Sequence, residues 1–409
     1  MKQKNVFIRK SERAVLMEFR KKTIGILDKI IKFLLFVWVF AIPISIGAMN
    51  VLAALLFLLF ITNMILGKKY SLYSGELDKG ILLLSLFILI SSIWAYSYFY
   101  VIDKFVSSVL SYILMYFLIL NIVQEKDIEK LLGLYCFSTM IAALFAGYQH
   151  FFLNINRATG FTHNANRLGA TMMMFIVFNF SILLFAKENK YRIFSVLGLI
   201  MGTIGLFSSL SRSSLLSTII ILFIISIIKS KKNLIIYIIL LTLLVYFLPE
   251  DYKMRLIQLS DLNSHNVSQR ILMYKNGLKV FIDNFWLGIG FNNTELIYNY
   301  YNFDKITYHH VHLHNAIINF AVELGIFGLG GIIYLFYKIL KINILSIMKN
   351  SNFINIGILG VILAQFSYNM VDFNFHAPEV TLITIFFVSI MIRQYNLKYY
   401  KKNIGGQTF

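Results

Sequence analysis

Residues 33–67 read FLLFVWVFAIPISIGAMNVLAALLFLLFITNMILG, and none of these side chains carries a charge. A hydrocarbon layer of roughly 30 Å is crossed by about 20 apolar residues of helix, so the stretch holds two crossings, with the predicted break at Met49 and Asn50. Outward from it, apolar runs recur at 33–49, 51–67, 80–98, 105–123, 131–152, 166–186, 193–209, 213–228, 233–248, 314–337, 353–371 and 379–392. The expected fold is an all-α polytopic membrane protein with about 12 transmembrane helices.

Composition points the same way. Of 409 residues 58% are apolar and 14% charged, against about 25% charged in a soluble domain, and the mean hydropathy is +0.72. Cys136 is the single cysteine, which excludes an intrachain disulfide and a cysteine-based metal site. The basic stretch 1–32 runs into a full apolar span without a small-residue cleavage pattern, so it is expected to be retained rather than removed as a signal peptide.

A formal charge of +19 would suggest nucleic acid in a soluble protein, but its distribution describes topology. With both termini in the cytoplasm, 28 of the 38 Lys and Arg fall inside, ten of them in the first 32 residues, as the positive-inside rule requires. Attraction to anionic membrane lipids adds to this, and no nucleic-acid partner is expected. The expected segments are a basic cytoplasmic arm 1–32, nine helices over 33–248, an outer loop 249–313 with an amphipathic helix, three helices over 314–392 and a cytoplasmic tail 393–409. Within the outer loop, residues 268–283 read as a helix. Arg270, Tyr274, Gly277 and Phe281 share its apolar face, widened by Met273, Leu278 and Val280, with Lys275, Asn276 and Lys279 opposite. Arg270 therefore either snorkels to water or meets an anionic partner.

Polar chemistry gathers at the outer helix ends. RATGFTHNANRLGA (157–170) carries Arg157, His163, Asn166 and Arg167; FSSLSRSSLLS (207–217) carries Arg212; MVDFNFHAPE (370–379) carries Asp372, Asn374, His376 and Glu379. Arg212 lies among serines between two apolar spans with no acidic residue beside it in sequence. A planar fork of donors near hydrocarbon suits phosphate or carboxylate, or serves as an anchor to lipid phosphate. His309, His310, His312 and His314 are close enough to bind Zn²⁺. However, His314 opens a helical run in which Ile318, Ala321, Gly325 and Gly328 share its face and Glu323 points away. Small residues there admit a neighbouring helix, and a neutral histidine suits a general base. No cofactor or metal is expected, and no phosphate-binding or dinucleotide glycine motif is present in the sequence.

The run HNAIINFAVELGIFG, His–Asn–nine residues–Gly–two residues–Gly from His314 to Gly328, resembles the signature of the bacterial O-antigen ligase family, part of a superfamily with polysaccharide polymerases. RATGFTHNANRLGA, SRSSLL (211–216) and QRILMYKNGLKVFIDNFWLGIGFN (269–292) resemble it too, over about residues 130–395. The sequence departs in having Phe285–Trp286 where the family commonly has a proline, and the first 130 residues carry no motif of it. The resemblance implies a fold similar to C-type membrane glycosyltransferases. It also implies metal-independent, inverting transfer of an undecaprenyl-pyrophosphate-linked glycan to a lipid A–core hydroxyl, on the periplasmic face of the inner membrane. By the same resemblance His314 is the catalytic base, and Arg212 and Arg270 bind the pyrophosphate. Arg157, Asn166, His312, Asn315 and His376 are expected to line the substrate-binding surface. Two alternatives stay open: a polymerase whose acceptor is a second lipid-linked repeat unit, and a polytopic transporter, which would carry charges near mid-membrane rather than at helix ends.

Overall fold

Pro43 divides the opening apolar stretch. The computed structural model describes residues 2–67, 75–246, 253, 265–297 and 312–403. In it α1 (Lys2–Ala41) ends at a turn, and α2 (Ile46–Gly67) begins after it. Proline has no N–H to continue the ladder; Ile44 and Ser45 N–H both close on the Ala41 carbonyl, and Ser45 Oγ accepts from Ala48 N–H at 3.2 Å. The break therefore precedes Met49 and Asn50, which lie inside α2. The basic segment expected as a separate arm is continuous with the first apolar run in α1.

Every regular element among the described residues is helical. After α2 come α3 (Asp78–Ile90), α4 (Tyr98–Lys104), a π turn (Phe105–Val109), α5 (Leu110–Ile122), α6 (Glu125–Phe151), α7 (Ala165–Phe185) and α8 (Asn189–Ser209). Then follow α9 (Arg212–Lys229), α10 (Lys231–Tyr246), α11 (His265–Asp283), α12 (Ala316–Lys349), α13 (Phe353–Asn369) and α14 (Pro378–Asn403). Among the described residues eight helices are long and apolar enough to cross a membrane: Ile46–Gly67, Tyr98–Ile122, Glu125–Phe151, Ala165–Phe185, Asn189–Ser209, Arg212–Lys229, Ala316–Lys349 and Pro378–Leu397. The protein is a multi-pass membrane protein. The sequence count of twelve exceeds these eight for physical reasons. Run 33–49 is divided by the Pro43 turn, with α1 ending at Ala41. The run 80–98 folds as the 13-residue α3 followed by a 3₁₀ turn, run 233–248 falls on α10, described over 16 residues, and α13 has 17 residues. At 1.5 Å per residue each is shorter than a roughly 30 Å layer.

At the centre lies α7, buried along most of its length and packed against α8, α9 and α13. Its run MMMFIVFNF is apolar nearly all round, as a helix enclosed by others requires. Gly198, Gly202 and Gly205 form the face of α8 that meets it, where a Cβ on Gly202 would stand 2.8 Å from Ile176. Small residues of this kind let helix backbones approach closely.

Helix α12 is broken at Gly325, whose φ of 62° and ψ of −168° no L side chain adopts without strain. The backbone groups freed by the break are paired from outside the helix: Ile289 N–H donates to the Val322 carbonyl and Gly290 N–H to that of Glu323, each at 2.9 Å, and Ile326 N–H donates to the Phe285 carbonyl at 2.8 Å. The FWLGIG segment thus lies against the break like a short strand, and side chains on Gly288 or Gly325 would collide with the opposing backbone. The small-residue face expected to receive a helix at Gly325 receives this segment.

Candidate functional site

The polar helix ends converge at one end of the bundle, on the turn between α13 and α14. Asp372 sits there, 4% exposed. Its Oδ1 is 2.7 Å from His314 Nδ1 and accepts Phe373 N–H at 2.9 Å; its Oδ2 accepts Tyr368 O–H at 2.9 Å and Asn166 Nδ2–H at 3.2 Å. Burial alone raises the Asp372 pKa. The hydrogen bond from His314, with the charges of His314, His312 and Arg270, outweighs burial and holds the carboxyl below the usual carboxylate range. An ionised carboxylate only accepts, so His314 donates from Nδ1, and a neutral ring of that tautomer carries its lone pair on Nε2.

His314 does not open the helix. It has φ 53° and precedes α12, which begins at Ala316 under the N-cap of Asn315. Asn315 Oδ1 accepts Ile318 N–H at 3.0 Å and its Nδ2 donates to the Met370 carbonyl at 2.8 Å, tying the start of α12 to the turn that carries Asp372. Inside α12, Asn319 Oδ1 accepts Leu313 N–H at 3.1 Å. Glu323, one turn after Asn319, is 4% exposed and accepts Thr294 O–H at 2.5 Å. The expected helical face continuous from His314 is therefore replaced by a left-handed turn fixed from three sides.

The third side is α11. It begins at His265, three residues earlier than the sequence places it. Met273, Gly277 and Val280 are buried as expected, but Leu278 is 48% exposed. At about 100° per residue Leu278 lies a quarter turn from Gly277, on the shoulder opposite Met273 and Val280. Gly277 faces Leu313 and Ile318, where a Cβ would meet their methyl groups at 2.7 and 2.8 Å. One turn earlier, Tyr274 O–H donates to the His314 carbonyl at 3.1 Å. Burial raises the Tyr274 pKa, while the charge of Arg270 lowers it and that of Asp372 adds to the rise. Arg270 is thus half-buried within electrostatic reach of both Asp372 and Tyr274.

Arg157 joins from the α6–α7 connection and Asn166 from the first turn of α7. Arg157 donates to Asn166 Oδ1 at 2.6 Å and to the Ser209 carbonyl at 3.4 Å, while Ala158 N–H donates to the Ser208 carbonyl at 2.9 Å. These bonds link the site to the turn before Arg212, where Leu210 in a left-handed conformation (φ 51°) ends α8 and half-buried Arg212 begins α9. Arg167 pairs with buried Glu379 at 2.9 Å.

His312 and His376 form an aromatic group with Phe373. The rings of His312 lie 4.5 Å from His314 and 4.6 Å from His376, and His376 stacks on Phe373 at 5.4 Å. Burial, then the charges of Lys104 and Arg167, pushes the His376 pKa down to about 3. His312, His314 and Asp372 offer ligand atoms all within 4.8 Å of one another, a group that could hold a metal ion. His309 and His310 lie outside the described residues.

This arrangement couples a carboxylate-oriented histidine to arginines at the end of a helical bundle. Residues 196–333 match the family model described as O-Antigen ligase. The chain carries an O-antigen ligase domain over this part of its length. No curated protein matches the chain. The O-antigen ligase domain spans Arg212, Arg270, His312, His314 and Asn315, and the fold supplies Arg157, Asn166, His376 and Asp372 from outside it. Sequence reasoning quoted Asp372 in its outer turn but did not place it in the site, because its partner is 58 residues away along the chain. Tyr274 and Tyr368 were likewise not singled out as site residues; a hydroxyl on a helix face that also carries a candidate arginine was the available signal for Tyr274.

Proposed function

We propose that the protein is an O-antigen ligase that transfers an undecaprenyl-pyrophosphate-linked glycan to a lipid A–core hydroxyl on the periplasmic face of the inner membrane. The observation that carries this is the 2.7 Å contact between His314 Nδ1 and buried Asp372, inside and beside an O-antigen ligase domain. Asp372 orients the ring, and Nε2 takes the proton of the acceptor hydroxyl as its oxygen attacks the anomeric carbon. The bond from that carbon to the diphosphate breaks on the opposite face, giving inversion, and the electron pair leaves with the lipid diphosphate. Arg212 and Arg270 stabilise the charge that develops there, where fixed guanidinium groups are most effective. Arg157, Asn166, His312, Asn315 and His376 shape the surrounding surface, with Asn166 and Asn315 acting mainly as positioning residues. The reaction needs no cofactor. A metal ion on His312, His314 and Asp372 would withdraw His314 from proton transfer, so activity is expected to persist in a strong chelator.

The topology in this account counts about twelve passes, the shorter helices crossing where the bilayer thins locally around them, with both termini in the cytoplasm and the segments 1–32, 33–248, 249–313, 314–392 and 393–409 as its parts. A fold similar to C-type membrane glycosyltransferases follows from the same family. A polymerase would use the same base and arginines with a second lipid-linked repeat unit as acceptor. The test is reconstitution with purified lipid-linked glycan and two acceptors, a core lipid and a repeat unit. Extension of the core lipid supports the ligase; extension of the repeat unit alone replaces it with the polymerase; extension of neither rejects both.

A further inference from the structure

A second site lies at the other end of α12. From Ala316 α12 runs to Lys349, and Lys338 lies in its C-terminal half, beyond the break at Gly325. A cleft of about 520 Å³ opens there between the start of α3, the lower half of α12 and α14. Glu76, Lys79, Leu83, Tyr334, Lys338 and Asn396 line it. Asn396 is 4% exposed, and its Nδ2 has no hydrogen-bond partner among the described residues. A buried amide donor left in this state loses its hydration without compensation. Lys338 is held loosely by Glu76 at 3.9 Å, beyond ordinary hydrogen-bond length, with Glu76 itself 54% exposed. Leu83 and Tyr334 are 68% and 53% exposed and give the cleft an apolar flank along the bundle.

The geometry points to a binding site for the phosphodiester headgroup of an anionic phospholipid. Two ammonium groups and a buried amide N–H supply donors to phosphate oxygens, and the apolar flank continues toward where an acyl chain would run. Basic pockets between transmembrane helices take anionic headgroups by this combination. A bound headgroup would also answer the unpartnered Asn396 donor and compete with exposed Glu76 for Lys338. The site is independent of chemistry at His314.

The test uses the full-length protein in neutral detergent, with bound lipid counted by native mass spectrometry and thermal unfolding followed in parallel. The arms are phosphatidylglycerol, phosphatidylcholine and inorganic phosphate. Phosphatidylglycerol is expected to bind and delay unfolding, with phosphatidylcholine much weaker and inorganic phosphate without effect. Lys79→Gln and Lys338→Gln should each weaken phosphatidylglycerol binding about fivefold, and Asn396→Leu should weaken it while leaving the charge unchanged. Equal protection by phosphatidylcholine would overturn the anionic specificity. Protection by inorganic phosphate alone would reassign the cleft to a soluble anion, and unchanged lipid binding in the Lys79→Gln/Lys338→Gln double variant would overturn the site.

Discussion

His314 and Leu210 both adopt left-handed backbone conformations, with φ of 53° and 51°. Such conformations persist outside glycine when the surroundings over-determine them. At His314 those surroundings are Asp372, Tyr274 and the Asn315 cap; at Leu210 the conformation turns the chain so that α9 begins at Arg212. If Arg212 and Arg270 meet developing diphosphate charge, their planar forks matter as well as their charge. Arg212→Lys and Arg270→Lys are each expected to lower transfer by about 10²–10³. Near wild-type turnover in steady-state assays of both would show that donor geometry is dispensable. The buried His376 gives a pH signature. Its folded pKa is about 3 against 6.5 for the free group, so the unfolded chain binds the extra proton first. The stability conferred by the neutral ring is complete above about 6.5 and declines as pH falls toward 3. The Asp372 contribution, with a folded pKa also depressed from 3.8, is lost only below that value. Thermal stability should therefore fall between pH 7 and 5 in the wild type and less in His376→Phe, which keeps the ring stacked on Phe373. Parallel curves for the two proteins would remove His376 as the cause.

Helix α11 acts as a clamp on the His314 turn, and Gly277 sets how closely it lies. Gly277→Leu should force α11 away from Leu313 and Ile318, a form of overpacking that costs about 1–3 kcal/mol, and should lower transfer more than tenfold while Gly277→Ala is milder. Wild-type transfer by Gly277→Leu, measured beside its unfolding temperature, would show that α11 does not set the position of His314. The amphipathic face of α11 was legible because polar and apolar residues alternate with helical period around Arg270 and Gly277. The helix ends within apolar sequence were less so. Residues on both sides of Pro43 are apolar, so hydropathy alone passes through the turn, and proline's missing donor is the only local mark of it. Gly325 looked like a packing residue because its break becomes visible only when Phe285, Ile289 and Gly290 take up the ladder bonds. Both ends of the Asn315 amide bond protein backbone, an arrangement that its place beside His314 in the sequence does not show.

Across the molecule, helix ends far apart in sequence meet in one polar cluster, and pairs such as Asn166–Asp372, Arg167–Glu379 and His314–Asp372 hold them together. Their types were visible in the sequence; the central place of Asp372 was not, because it depends on the packing of α12 against α13. If this end is periplasmic, reporter fusions after Lys231 and Lys341 should report cytoplasm, and fusions at Thr162 and Asn292 the outer side. A cytoplasmic signal at Asn292 would put the cluster on the wrong side for a periplasmic glycan. The central claim is that His314 takes the proton of the acceptor, and it is tested most directly by His314→Gln reconstituted in vesicles with purified lipid-pyrophosphate-linked glycan. Glutamine donates and accepts hydrogen bonds but does not take up a proton at neutral pH. The variant is expected to bind donor within about tenfold of wild type, through the arginines, and to transfer no glycan. Transfer retained by His314→Gln would contradict the account and leave His314 as a positioning residue.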